Sequence, residues 1–340
     1  MTTLRELYEF SIGYAAALDP RGAAGLRRVL DERRREYESL PPAERPHFDL
    51  ERLRNPFGDV RIALGPDDVP LETVILGIDI GVAEILLADH LRRRGTRVDA
   101  VIAHHTPNSG VAPNLAYDIM DVNVDMLTGH GVPLEDARGV IGPYVDERWL
   151  NNEDWHRQGP ATAGQLGLPL ACIHTPADYA FEVGIGAVLD AARPRTAGEA
   201  VEALMVIPEV QSAARFGAFP RVMSGDPSWP FGAFHVKGGG GKIFPPGAYP
   251  LLGAAGLRTV VQIGCTPAHA RAAEAAGVAI VRVPHAACDN FGINLLLDAA
   301  ARALGPLGVI GCAAFERISH SGTPLGRLVA AAMDARGAPW

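Results

Sequence analysis

The sequence predicts an α/β protein with mostly parallel sheets, and three stretches carry that expectation. Val74-Ile75-Leu76-Gly77-Ile78, a helical pattern over residues 82–94 and a strand pattern over residues 97–103 make one strand-helix-strand unit. The same design returns far downstream in Thr259-Val260-Val261-Gln262-Ile263, residues 267–275 and residues 278–283. A third apolar run, Leu168-Pro169-Leu170-Ala171-Cys172-Ile173, stands between them. All three regions run into histidine: His104-His105, His174, and His285 after Pro284. In open α/β sheets ligands gather beyond the carboxyl ends of strands, so the expected cleft lies there. The recurrence of strand, helix, strand and histidine reads as an internal duplication, two similar halves facing a shared cleft.

Taken in chain order, Leu4, Leu7, Tyr8 and Ile12 recur at helical spacing, and a second helix with the arginine stretch Arg27–Arg35 runs up to Pro41-Pro42. These helices, residues 1–54, read as a cap or an oligomer contact. Asn55-Pro56-Phe57-Gly58-Asp59 makes a turn into the first α/β half, residues 55–190. Within that half, residues 108–167, with Trp149 and Trp155, read as helices and loops inserted between two sheet strands. The second half, residues 191–340, opens with a helix over residues 199–205, followed by a Gly- and Pro-rich region without periodicity up to residue 250.

A chain of 340 residues with 48% hydrophobic content can fill such cores. The net charge of −8 argues against binding duplex nucleic acid, which needs a cationic surface, and favours a small-molecule partner. Arg27–Arg35 is interleaved with acids and reads as a solvated helix face. Cys172, Cys265, Cys288 and Cys312 form no CxxC pair and sit mostly in apolar contexts, as in a reducing cytoplasm. Arg5 and Glu6 stand where a signal peptide would need its apolar core, and no apolar run reaches the length of a membrane span. The expected location is cytoplasmic.

The chemistry is expected in four clusters: His104-His105, His174-Thr175-Pro176-Ala177-Asp178, His269, and His285-Ala286-Ala287-Cys288-Asp289. Successive strand residues point to opposite faces, so two adjacent imidazoles have little packing reason to close a buried strand. At the strand's end both can turn into one crevice, and neutral imidazole is the commonest metal ligand. Residues four apart share a helix face, so His174 with Asp178 and His285 with Asp289 can each chelate an ion or clamp two. Imidazoles with a bridging carboxylate suit a two-metal site. Each cluster has a plainer reading: Asp178 and Asp289 as helix caps, Asp79 as another, His269 as a packed or surface helix residue. Asp121 and Asp125 resemble ligands too, but no buried strand presents them.

Ile78-Asp79, Ala103-His104-His105-Thr106-Pro107, His174-Thr175-Pro176-Ala177-Asp178 and His285-Ala286-Ala287-Cys288-Asp289-Asn290-Phe291-Gly292 resemble, in order, the signatures of the Nif-three-like family of dinuclear metal-binding proteins, some of them labelled GTP cyclohydrolase I type 2. The family pattern is an LD strand end, an HHP doublet, an HTNLD strand end and a closing GHxxSE, and the resemblance spans residues 55–302. It implies a fold of two similar, intertwined α/β halves, often assembled as toroidal hexamers. It also implies two divalent ions held by His104, His105, Asp178, His285 and Asp289, with His174 and His269 nearby. Zinc, iron, manganese and nickel all accept such nitrogen and oxygen ligands. This chain departs from the pattern in three places. Asp289 stands where the family has glutamate, Thr106 separates the doublet from Pro107, and the interval from the doublet to His174 is long.

Lys237-Gly238-Gly239-Gly240-Gly241-Lys242 lacks the Walker spacing and reads as a glycine turn, with two lysines beside backbone amides that can bind an anion near the cleft. Gly184-Ile185-Gly186 lacks the third glycine of a dinucleotide fingerprint and reads as helix packing. The expected function is a metal-dependent hydrolase of a small nucleotide-like or heterocyclic substrate, with His174 or His269 as proton shuttle. The alternatives are a non-catalytic metal-binding scaffold and, more narrowly, GTP ring opening.

Overall fold

The computed structural model describes residues 2–106, 110–111, 119–150 and 157–338. Numbered in chain order, the strands are Thr2–Thr3 (β1), Val60–Leu64 (β2), Pro70–Leu71 (β3), Thr73–Gly77 (β4), Ala100–Ala103 (β5), Leu170–Ile173 (β6), Arg221–Ser224 (β7), Phe234–Lys237 (β8), Thr259–Gln262 (β9), Ala279–Arg282 (β10) and Gly308–Cys312 (β11). The helices of the first part are Leu4–Leu18 (α1), Gly22–Ser39 (α2), Val82–Arg93 (α3), Val122–Gly129 (α4), Leu134–Leu150 (α5), Gln158–Gln165 (α6) and Thr175–Ala192 (α7). Those that follow are Ala197–Leu204 (α8), Pro208–Arg215 (α9), Ala248–Ala254 (α10), Pro267–Ala275 (α11), His285–Leu304 (α12) and Pro324–Asp334 (α13).

Two sheets of matching plan organise these elements. The first has the order β11-β4-β5-β6-β2, in which β11, β4, β5 and β6 are parallel and β2 closes the edge antiparallel to β6. The second has the order β7-β10-β9-β8, in which β8, β9 and β10 are parallel and β7 closes the edge antiparallel to β10. The central strands are built from β-branched and small apolar residues buried on both faces, as parallel sheets between helices require. The protein is thus an α/β fold with mostly parallel strands. Its two halves interlock, because β11, late in the chain, completes the sheet begun by β4.

Position in the sheets sets the register of the duplication. The sequence pattern matches β4-α3-β5 with β9-α11-β10, yet β6 and β10 are the equivalent strands: each is the last parallel strand, each lies beside an antiparallel edge, and each feeds a long buried helix. Those helices, α7 and α12, pack on one another through glycine. A methyl group on Gly292 would meet the carbonyl oxygen of Ala177 at 2.1 Å, and one on Gly184 would meet the Phe291 ring at 2.7 Å.

Helix α1 is not a peripheral cap. Leu4, Tyr14 and Ala15 are fully buried, and the helix packs against α7 and α12 within the main core. Its start is fixed by a capping box in which the Thr3 hydroxyl accepts from the Glu6 amide and the Glu6 carboxylate accepts from the Thr3 amide. The stretch over residues 108–167 contributes α4, α5 and α6; Pro107 and Trp155 lie outside the described residues. The Gly- and Pro-rich region after α8 holds α9, β7 and β8, short elements with too few residues to show a period. Among the described residues no helix is long and apolar enough to cross a membrane. All four cysteines are free thiols.

Candidate metal centre

Backbone pairing places the histidine doublet. The parallel ladder between β4 and β5 continues two residues past the strand, with the His104 amide donating to Gly77 (3.0 Å) and the His105 amide to Ile78 (2.9 Å). Both imidazoles are thereby held at the carboxyl rim of the sheet. Beyond β6, His174 is the N-cap of α7 and Asp178 follows one turn in; beyond β10, Pro284 is the N-cap of α12, which opens at His285 and carries Asp289 one turn in. Neither Asp178 nor Asp289 caps its helix, and neither helix has a side-chain cap. Both carboxylates are turned inward, 5% and 1% exposed at the side chain.

Six of the seven residues singled out by sequence meet here. His104 Nε2 lies 3.6 Å from Asp178 Oδ1 and 3.7 Å from Asp289 Oδ1. His105 Nε2 is 3.4 Å from Asp289 Oδ2, and His285 Nε2 is 3.4 Å from Asp289 Oδ1. The His174 ring stacks on His104 with centroids 4.6 Å apart, and its Nδ1 is 3.7 Å from Asp178 Oδ2. Three overlapping groups each bring one ligand atom per residue within 4.8 Å of the others: His104, His105 and His174; His105, His285 and Asp289; His104, Asp178 and Asp289.

These residues fit a metal. Both carboxylate oxygens of Asp289 and the Nε2 of His104 are buried without a hydrogen-bond partner, a costly state for polar atoms unless something else binds them. The separations of 3.4–3.7 Å are long for hydrogen bonds. They match the spacing, roughly 3.4 Å, of two ligand atoms each about 2.1 Å from one tetrahedral ion.

The electrostatics of the pocket separate the two carboxylates. Burial works against the charge of Asp289, but His104, His105 and His285 outweigh it and hold its carboxyl well below the usual range, so it stays ionised. Burial raises Asp178, whose neighbours include the like charges of Asp289 and Asp59 as well as His174 and His104. Burial alone would lower His174, yet Asp178 and Asp59 lift it to about 9. Burial takes His285 down to about 4, with the positive charges of His105 and Lys242 acting in the same direction.

A second layer holds the imidazoles in place, and the sequence gives little sign of it. The buried Asp59 receives the Thr175 hydroxyl at 2.8 Å and lies 2.8 Å from His174 Nδ1, while Asp79 lies 2.8 Å from His105 Nδ1. The sequence places Asp59 in a turn and makes Asp79 a cap. In the fold, Gly81 is the N-cap of α3 and Asp79 orients His105. Such partners fix which nitrogen faces a metal, and their loss typically weakens metal binding 10–100-fold. We expect Asp79→Asn, which removes the charge and half the acceptor capacity beside the proposed ligand His105, to weaken metal retention by about that factor, measured by competition with a chromophoric chelator.

The glycine turn is occupied by the protein itself. Lys237 is fully buried and donates to the carbonyls of Gly239 and Gly241, above the Phe244 ring. The amides of Gly238 and Gly239 donate to Glu182 of α7 at 2.6 and 2.8 Å. The acceptor in this nest is therefore a side chain, one helical turn beyond Asp178. His269 is not part of the cluster: it sits on α11, 2.6 Å from the Thr266 hydroxyl and edge-on to Tyr249. Asp125 pairs with Arg28 at the surface.

No protein-family model matches the sequence, and no curated protein matches it. Solved structures do resemble it. A NIF3 superfamily protein from Sphaerobacter thermophilus superposes with a TM-score of 0.64 at 26% identity, covering 85% of this chain and 98% of that one. Reduced HcgD from Methanocaldococcus jannaschii gives a TM-score of 0.45 at 13% identity, over 83% of this chain and 96% of that one. A Bacillus cereus protein related to NIF3 gives 0.40 at 14% identity, over 83% and 96%.

Proposed function

Since the chain belongs to the NIF3-like family, we propose that its histidine and aspartate cluster holds two divalent ions and hydrolyses a small, nucleotide-like or heterocyclic substrate. The observation that carries this reading is the buried Asp289 carboxylate, ionised, without a hydrogen-bond partner and surrounded by three imidazoles. His105, His285 and Asp289 form one donor group and His104, Asp178 and Asp289 another, so these five residues would hold the ions, with Asp289 the carboxylate common to both groups.

Bound divalent ions supply Lewis acidity and activate water at neutral pH. The chain's residues do the rest. Asp79 and Asp59 orient His105 and His174. His174, 22% exposed at its side chain, is better placed than His269 to hold or pass a proton at the mouth of the cluster. A homo-oligomer, with the family's hexamer as the expected form, is supported by apolar side chains left in solvent: Val82 and Leu86 on one face of α3, and Phe216 at 88% exposure.

The test is metal analysis of the full chain purified without chelator, joined to a turnover screen over nucleotides including GTP, phosphoesters and cyclic amides. About two equivalents of divalent metal are expected, with turnover that His105→Ala abolishes. Metal-dependent assembly without turnover of any class would favour the scaffold reading, and a chain free of metal would remove both.

A further inference from the structure

The glycine turn after β8 is built onto the stretch of helix that carries Asp178. Gly240 and Gly241 take φ of +70° and +99°, a left-handed backbone that side chains rarely adopt. The turn is buried at Gly238, Gly239 and Gly240, so its peptide groups must find partners inside the protein. Three side chains from three elements supply them. Glu182 of α7 accepts from the amides of Gly238 and Gly239, Lys237 of β8 donates to the carbonyls of Gly239 and Gly241, and Asn123 of α4 donates to that of Gly240. A methyl group on Gly238 would meet the Phe181 ring at 2.0 Å and one on Gly239 the Tyr179 ring at 2.3 Å, so no side chain fits between turn and helix.

Asp178 stands between two close contacts of α7. Before it, Ala177 meets Gly292 of α12, the helix that carries Asp289; after it, residues 179–182 meet the turn. The glycine contact sets how closely the two helices approach, but it is not directional and leaves the rotation of α7 about its own axis open. The hydrogen bonds of Glu182, at 2.6 and 2.8 Å, are directional. Residues four apart share a helix face, so Asp178 turns with Glu182. A side-chain tip lies about 5–6 Å from a helix axis, and a rotation of about 10° displaces it by about 1 Å. Metal sites tolerate about 0.2 Å in their ligand distances.

We propose that Glu182 is a positioning residue of the metal centre: its two hydrogen bonds to the glycine turn fix the rotation of α7 and so aim the Asp178 carboxylate at the ion position it shares with His104 and Asp289. The inference rests on the metal-centre reading above. Glu182 itself touches neither ion nor substrate, and its effect is confined to the position that includes Asp178, because His105 is held at the end of β5 and His285 and Asp289 ride on α12. An accepting oxygen at the right reach is what the turn requires. Glu182→Gln keeps an oxygen that can take both amides, Glu182→Asp draws it back by one methylene, and Glu182→Ala removes it.

The test titrates the full-length protein with cobalt(II), whose visible absorption reports coordination geometry, and uses circular dichroism to confirm folding. Glu182→Ala is expected to bind one class of cobalt about tenfold more weakly and with altered absorption, while the other class keeps the parent spectrum and affinity. Glu182→Asp should alter the same absorption, and it carries the test if Glu182→Ala does not fold. Glu182→Gln should return the spectrum to that of the parent and the affinity to within a few fold of it. Parent-like cobalt binding in Glu182→Ala and Glu182→Asp would overturn the role of Glu182 and leave the metal centre standing. Uniform weakening of every bound ion would overturn it too, since a general loosening of the fold gives that result. So would a Glu182→Gln protein that behaves like Glu182→Ala, because Glu182 would then be supplying charge and not aim. A parent protein that binds no cobalt would overturn the centre itself, and this inference with it.

Discussion

Asp289→Ala is expected to release the metal, lowering affinity by more than about a hundredfold while leaving the chain folded. Of the carboxylates in the three donor sets it alone occurs in two of them, and it lies within 3.7 Å of His104, His105 and His285. Its removal takes a ligand from both proposed positions at once and leaves three imidazoles without the negative charge that balances them. Loss of a partner at a second-layer position typically costs 10–100-fold, so loss of the shared ligand must cost more. Asp289→Asn, similar in shape but uncharged, should fall close to Asp289→Ala if charge decides, and close to the parent if the side chain only fills space. Asp289→Glu restores the residue type of the family pattern and is expected to retain metal. Metal analysis after gel filtration, with circular dichroism to confirm folding, separates these results. Full metal retention in Asp289→Ala would sink the proposed role of Asp289 in both groups.

The residues that converge were legible because their chemistry is local. A doublet at a strand's end and two His-x-x-x-Asp segments are patterns within five residues, and the fold adds only the long-range step that brings them together. The structure also shows why the two His-x-x-x-Asp segments are alike. His174 with Asp178 and His285 with Asp289 occupy the same place in equivalent halves, at the start of the helix after the last parallel strand. Matching strand-helix-strand units by sequence places the repeat one strand out of register, because β8 is preceded by no periodic helix. Sheet order corrects it.

What stayed hidden depends on contacts across long stretches of chain. Asp59 lies 115 residues from His174, in a turn whose Asn-Pro and Gly-Asp pairs are sufficient reason for its residue types. Asp79 satisfies a cap pattern equally well, and only the Glu84 side chain on the Gly81 amide shows that the helix start is already served. Glu182 falls on a helix as an ordinary interior acid, and its role appears when the turn after β8 docks on it. For His269 the plainer of its two readings, a packed helix residue, agrees with its place: α11 covers the second sheet and its histidine faces Tyr249.

Gly292→Ala is expected to destabilise the protein by about 2–4 kcal/mol and to cost it metal as well. The added methyl group would sit 2.1 Å from the carbonyl oxygen of Ala177 and 2.8 Å from its carbonyl carbon. Both are helix backbone atoms and cannot rotate away as a side chain tip could, so α7 and α12 must separate by about an ångström for the contact to become normal. Ala177 precedes Asp178, and Gly292 is three residues beyond Asp289, so this separation acts directly on the distance between the two carboxylates of the cluster. A built-in control lies on α7: Gly186, two residues beyond Gly184, has open space where a methyl group would go. Gly186→Ala should be neutral or stabilise by up to about 1 kcal/mol through helix propensity. Urea unfolding of both variants, with and without chelator, tests the argument. The gap between parent and Gly292→Ala should narrow when metal is withdrawn from both, since the variant has already lost that contribution. A Gly292→Ala protein as stable as the parent, with metal content intact, would mean that α7 and α12 are not held at the distance on which the proposed metal centre depends.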